Sequence, residues 1–235
     1  MDFILVPGLW LDGGSWGRVV PLLEGAGHRA HPLTLPGLDS VDTDRSGIRL
    51  GDHVDAVVAA IDACDDDATV VVVGHSAGCA VAWAAVDARV GRVAHAAFVG
   101  GWPGADGGAV MEGFETVGGD LPMPPWSKFS QDDLQDLDEA GLADFRARSV
   151  PSPAAYATDP VRLSDERRYD VPVTAICPEY SADDLREWLE AGEGSLAELA
   201  KIHSVQFVDV STGHWPQLTR PQELADALVA AAAAG

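Results

Sequence analysis

Two serines in this chain sit in the pattern G-x-S-x-G: Ser76 within Gly74-His75-Ser76-Ala77-Gly78, and Ser15 within Gly13-Gly14-Ser15-Trp16-Gly17. That spacing can build the sharp strand-to-helix turn on which a serine hydroxyl stands clear as a nucleophile. Ser76 follows the apolar run 69–73 (TVVVV) directly and precedes a run of helix formers, so its context fits the turn. Ser15 lies about nine residues past the first apolar run, in a Gly- and Trp-rich loop, and is read as a decoy. A serine hydroxyl needs a base, and a histidine on another loop is the usual one. Of the seven histidines, His214 stands out: it follows the last apolar run by the short loop Ser211-Thr212-Gly213, 138 residues after Ser76. His75 adjoins Ser76, but neighbouring side chains diverge at such a turn. His28, His31, His53, His95 and His203 are read as surface or packing residues.

The elements needed to bring Ser76 and His214 together are legible as apolar runs. Residues 3–6, 28–35, 69–73, 95–99, 172–177 and 204–210 are strand candidates, and continuous apolar runs of this kind suit strands covered on both faces. Between them lie helical patterns such as 52–63, where Val54, Val57, Val58 and Ile61 form one stripe. Alternating strands and helices imply an α/β fold with a doubly wound, mostly parallel sheet, whose carboxyl edge carries both residues. The alternation breaks between about 103 and 168, where Gly and Pro clusters, an acidic helical stretch at 131–148 and a proline-rich piece at 151–160 read as a small helical cap insertion short of core-building residues. The expected division is a core of 1–102 and 169–235 with a cap of 103–168. The alanine tract 230–234 reads as the frayed end of a last helix.

With 235 residues, 47% of them hydrophobic, the chain can bury the core of one domain. Fifteen Lys and Arg against 37 Asp and Glu leave a net charge of -22, which disfavours nucleic acid and anionic membranes as partners. The start MDFILVPG lacks a basic region and a long apolar core, so a cytoplasmic protein is expected. Cys64, Cys79 and Cys177 show no C-x-x-C spacing and are read as reduced and structural, and no His, Cys and carboxylate spacing suggests a metal.

The stretches VPGLWLDGGSW, GHSAG and GHWPQLTRPQELADAL together resemble the α/β-hydrolase superfamily, and more narrowly its small cofactor-free branch that includes plant methylesterases and hydroxynitrile lyases. The resemblance spans nearly the whole chain except 103–168. It implies that no cofactor is needed and that an oxyanion hole is formed by the backbone N–H groups of Ala77 and Leu9. Pro7-Gly8 stands where the family carries His-Gly, which leaves the backbone donor possible. The family places an acid after the next-to-last strand. Glu179, 35 residues before His214, is nearest to that place, with Asp183 and Asp106 as alternatives. Trp10 and Trp102, each following a strand, are expected to face the substrate pocket, whereas Trp126 and Trp215 could line it or merely pack. The function expected is a serine hydrolase for a small carboxylic ester, lactone or thioester, a small-molecule carbonyl-containing substrate. A lyase or ring-forming enzyme using the same pair, or a binding protein of the same fold, are the alternatives.

Overall fold

In the computed structural model, which describes residues 1–111 and 113–233, the apolar runs become a six-stranded sheet. Its strands are β1 (Asp2–Val6), β2 (Arg29–Pro32), β3 (Val70–His75), β4 (Val93–Val99), β7 (Val173–Cys177) and β8 (Val205–Asp209). They are parallel throughout and ordered β2-β1-β3-β4-β7-β8. The two-residue strands β5 (Asp120–Leu121) and β6 (Ser152–Pro153) form a separate antiparallel pair.

Side chains alternate across a strand, and here both faces find apolar partners. Ile4, Val6, Val70 and Val72 join one core cluster with Val57, Ile61, Val81 and Leu185. These come from α2 (Leu50–Asp62), α3 (Gly78–Ala88) and α6 (Ala182–Glu190). Phe3, Leu5, Val71 and Val73 join the opposite cluster with Leu23, Leu224 and Leu228, from α1 (Val20–Gly25) and α8 (Pro221–Ala233). The remaining helices are α4 (Glu139–Arg148), α5 (Ala154–Thr158) and the single turn α7 (Pro216–Thr219). No helix among the described residues is long and apolar enough to cross a membrane.

The chain leaves β1 toward β2 on one side and returns as β3 on the other, so the loops after β1 and β3 part at the point where parallel α/β sheets place their ligands. Three sequence expectations change. The run 28–35 yields only the four residues of β2, followed by a last ladder bond from Leu33 N–H to Leu5 O; Pro32 fits because β2 is the edge strand and its missing N–H falls on the unpaired side. The acidic stretch 131–148 is helical only from Glu139, where the Asp138 carboxylate caps Gly141 N–H. And the segment 103–168 is not poor in core residues: Leu121, Tyr156 and Val161 are almost wholly buried within the larger cluster. Of the alanine tract, residues up to Ala233 continue α8 and Ala234 lies outside the described residues.

Beneath the surface, Arg168 is buried with two acids, its Nη1 3.2 Å from Asp87 and its Nε 2.8 Å from Glu198. The Trp83 indole N–H also donates to Glu198, and the main-chain N–H groups of Ser164 and Asp165 donate to Asp87.

Candidate active site

Ser76 occupies the turn between β3 and α3 with φ = 52°, a left-handed backbone that an L-residue adopts only when its surroundings enforce it. The surroundings are glycines. A methyl group on Gly74 would lie 2.6 Å from Cys79 Cα, and one on Gly78 would lie 2.5 Å from the carbonyl oxygen of Pro7. Strand, turn and helix therefore pack closer than any side chain permits, and Ser76 N–H is tied to Val99 O at 2.9 Å.

His214 hangs on the loop between β8 and α7. Its Nε2 is 2.9 Å from Ser76 Oγ, and its Nδ1 is 2.6 Å from Glu179 Oε1. A carboxylate can only accept, so Nδ1 carries the hydrogen and Nε2 is left with a lone pair facing the serine hydroxyl. Burial resists charging of this imidazole. The Glu179 carboxylate outweighs that through its hydrogen bond and charge, with Asp133 adding to it, and the pKa stands above the usual histidine value. His75 turns its side chain away from Ser76, as expected, but not into idle packing: its Nε2–H donates to His214 O at 2.7 Å. Burial holds His75 neutral, with a pKa of about 3.

The three candidate acids separate cleanly. Glu179 meets His214. Asp106 accepts from Leu163 N–H at 3.0 Å, and Asp183 is an exposed partner of Arg186. Ser15 donates to Asp12 O at 2.7 Å within a 3-10 turn and is buried, with no hydrogen bond to a histidine among the described residues.

Ser76 opens into a cavity of about 700 Å³. Leu9 and Ala77 line it, and the N–H of neither donates to a described residue. Trp10 and Trp102 line it as well. Trp10 is itself left-handed (φ = 65°), with its N–H on Ser152 Oγ and its indole N–H on Leu121 O. Trp215 also reaches the cavity, whereas Trp126 packs against Phe145 and Trp215. Sequence reasoning missed Tyr180, Trp188, Phe114, Phe129 and Asp133 on the walls. Tyr180 follows β7 and could have been found by the rule that favoured Trp102; Trp188 lies near the end of α6, and the others lie in the segment without periodicity and gave no signal. Folding also gathers donor groups that linear spacing does not show, Asp133 with Glu179 and His214, and Asp2 with His31 and Cys64. In the second, Asp2 is already occupied by Arg29 and His31. All three cysteines are buried and unpaired.

A strained serine at a strand-to-helix turn, a histidine from the last strand's loop and a carboxylate from the preceding one define the class of α/β hydrolases. A model of the Alpha/beta hydrolase family matches residues 3–227, and the chain belongs to that family. It is accordingly an enzyme of the hydrolase class. No curated protein matches the sequence significantly. Among solved structures, the fold is similar to a pyrethroid hydrolase from Sphingobium faniae JZ-2 (19% identity, 100% of this chain and 98% of that one, TM-score 0.71). It is similar also to an extracellular α/β-hydrolase from a Paenibacillus species described as sharing homology with tobacco salicylic acid binding protein 2 (18%, 98% and 98%, 0.78). A third is a histidine-to-alanine variant of tomato methylketone synthase I complexed with beta-ketoheptanoate (16%, 99% and 98%, 0.76).

Proposed function

We propose that this protein is a serine esterase that cleaves a small, uncharged carboxylic ester or thioester through an acyl-enzyme on Ser76. The observation that carries this reading is the continuous hydrogen-bond chain from Glu179 through His214 to Ser76. His214 Nε2 takes the hydroxyl proton as Oγ attacks the carbonyl carbon, and Glu179 stabilises the imidazolium that forms. The tetrahedral oxyanion lies between Leu9 N–H and Ala77 N–H, with the first turn of α3 adding its partial positive charge. Collapse expels the alcohol or thiol, protonated by His214. Water, deprotonated by the same histidine, then releases the acid.

The substrate class follows from the walls. Trp10, Met111, Phe114, Phe129 and Trp102 make an apolar cavity large enough for an acyl or alcohol part of aromatic size. That two of the structurally similar proteins are themselves hydrolases supports hydrolysis as the reaction. Residues 103–168 act as a cap over the core of 1–102 and 169–235. Three unpaired cysteines favour a reducing compartment, hence a cytoplasmic location. The test is turnover of p-nitrophenyl acetate, butyrate and benzoate by the wild type and Ser76→Ala. Turnover that disappears in the variant is expected; turnover that survives it, or a wild type inert toward all three esters, overturns the reading.

A further inference from the structure

Asp133 lies outside every element that the α/β core contributes, in the stretch of segment 103–168 that precedes α4, yet it faces the reacting histidine. One oxygen of Asp133, one of Glu179 and a ring nitrogen of His214 lie within 4.8 Å of one another. The same residue holds the histidine's backbone: His214 N–H donates to Asp133 O at 2.9 Å. The attachment is tight along its length. A methyl group on Gly213 would collide with the main-chain oxygens of Asp133 and Gln135. Three residues after Asp133, Asp136, with a left-handed backbone of φ = 65°, accepts from Thr212 Oγ1 and pairs with Arg220, each at 2.9 Å. Ser130 and Asp133 brace the loop reciprocally, Ser130 N–H on Asp133 Oδ2 at 2.7 Å and Asp133 N–H on Ser130 Oγ at 3.0 Å.

We propose that Asp133 is a positioning residue for His214, a second carboxylate that the cap docks against the imidazole so that the catalytic base is fully assembled only with the cap in place. The proposal rests on the reading of His214 as base. Two further observations support it. Glu179 Oε2 is buried with no hydrogen-bond partner among the described residues, so the imidazolium formed during acylation is a compensating charge for the carboxylates collected here. And the groups facing His214 from the other elements do not add positive charge at the ring: His75 below it is neutral, Ser76 and Tyr180 are uncharged, Trp215 packs edge-on, and Lys128, on the cavity wall, is itself exposed. During acylation the imidazole acquires a full positive charge, and a fixed negative charge at this range favours that state.

The test separates charge from scaffold. Asp133→Asn keeps an oxygen acceptor for Ser130 N–H and removes the charge. Ser130→Ala removes the reciprocal brace and keeps the charge. The His214 titration is read by NMR on protein labelled with 15N-histidine, alongside the acid limb of kcat/KM for p-nitrophenyl acetate. With Asp133→Asn the pKa is expected to fall by roughly 0.3–1 unit, and kcat to fall about two- to fivefold. With Ser130→Ala the pKa stays within about 0.1 unit. An unchanged pKa in Asp133→Asn, or an equal shift in Ser130→Ala, overturns the proposal. A wild type inert toward esters would overturn the esterase reading alone, because the NMR titration still decides the role of Asp133.

Discussion

Replacing Glu179 by Gln is the sharpest perturbation of the proposed chemistry, because it changes one atom type and almost no volume. The wild-type contact is short, 2.6 Å between Oε1 and Nδ1, as expected when the acceptor is charged. Glutamine can still accept from Nδ1–H through its carbonyl oxygen. It can equally offer its NH2 group to Nδ1, and that favours the tautomer with hydrogen on Nε2, which cannot take the serine proton. Loss of such an orienting carboxylate lowers kcat by roughly 10²–10⁴-fold, about 2.7–5.5 kcal/mol at 1.36 kcal/mol per decade. Asp133 remains beside the ring in this variant, so the loss should lie toward the lower end, on the order of 10²–10³-fold. The pKa of His214 should fall as well, since Glu179 is its main upward influence, and the acid limb of the rate profile should move to lower pH. The assay is kcat for p-nitrophenyl acetate across pH 5–9, with Asp106→Asn and Asp183→Asn in parallel, each expected within about threefold of wild type. A Glu179→Gln enzyme within about fivefold of wild type, or a hundredfold loss in either control, would refute the reasoning.

A fluorophosphonate should label Ser76 and leave Ser15 unmodified, as read by peptide mass spectrometry, since Ser15 Oγ is already committed to Asp12 O. Arg168→Met should strand Asp87 and Glu198 without their cation and cost about 3–5 kcal/mol, a fall in Tm of roughly 6–20 °C for a chain of this size; a change under about 2 °C would mean the acids find other compensation. His53 is buried with Nε2 on Pro36 O, and burial pulls its pKa down from 6.5 to about 4. A depressed pKa means the unfolded chain binds the proton more tightly. Its contribution is therefore complete above about pH 6.5 and is lost as pH falls toward 4, on the order of 2–4 kcal/mol. Urea titrations of wild type and His53→Gln at pH 7 and pH 4.5 should show a smaller pH dependence in the variant, and equal slopes against pH would remove His53 from the acid response.

The core strands were readable because each is an apolar run buried on both faces, and such runs are uncommon outside parallel sheets. Ser76 followed from its strand and its glycines, and His214 from its place after the last strand. Glu179 needed the position in the loop after β7, since nothing in its type distinguishes it from Asp183 four residues later. The walls contributed by 103–168 were opaque for a physical reason. Their contacts are long-range: Asp133 meets His214 and Ser152 meets Trp10 across 142 residues, and no local period marks either. The same holds for Arg168, an arginine that composition alone assigns to the surface and that folding buries between two acids.

The double tether of Trp10 bears on how this scaffold could be remodelled. Its neighbour Leu9 offers one of the two proposed oxyanion donors, while Trp10 itself is held by Ser152 and Leu121, both in the 103–168 segment. Transplanting that segment from a relative would thus disturb more than the shape of the substrate's berth. Unless the acceptors for Trp10 travelled with the graft, the Leu9 amide would lose its aim, and the chimaera would bind its new ligand while turning it over slowly. Libraries that vary the walls at Phe114, Phe129 and Met111 but retain Leu121, Asp133 and Ser152 leave that alignment in place and let selectivity drift independently of rate.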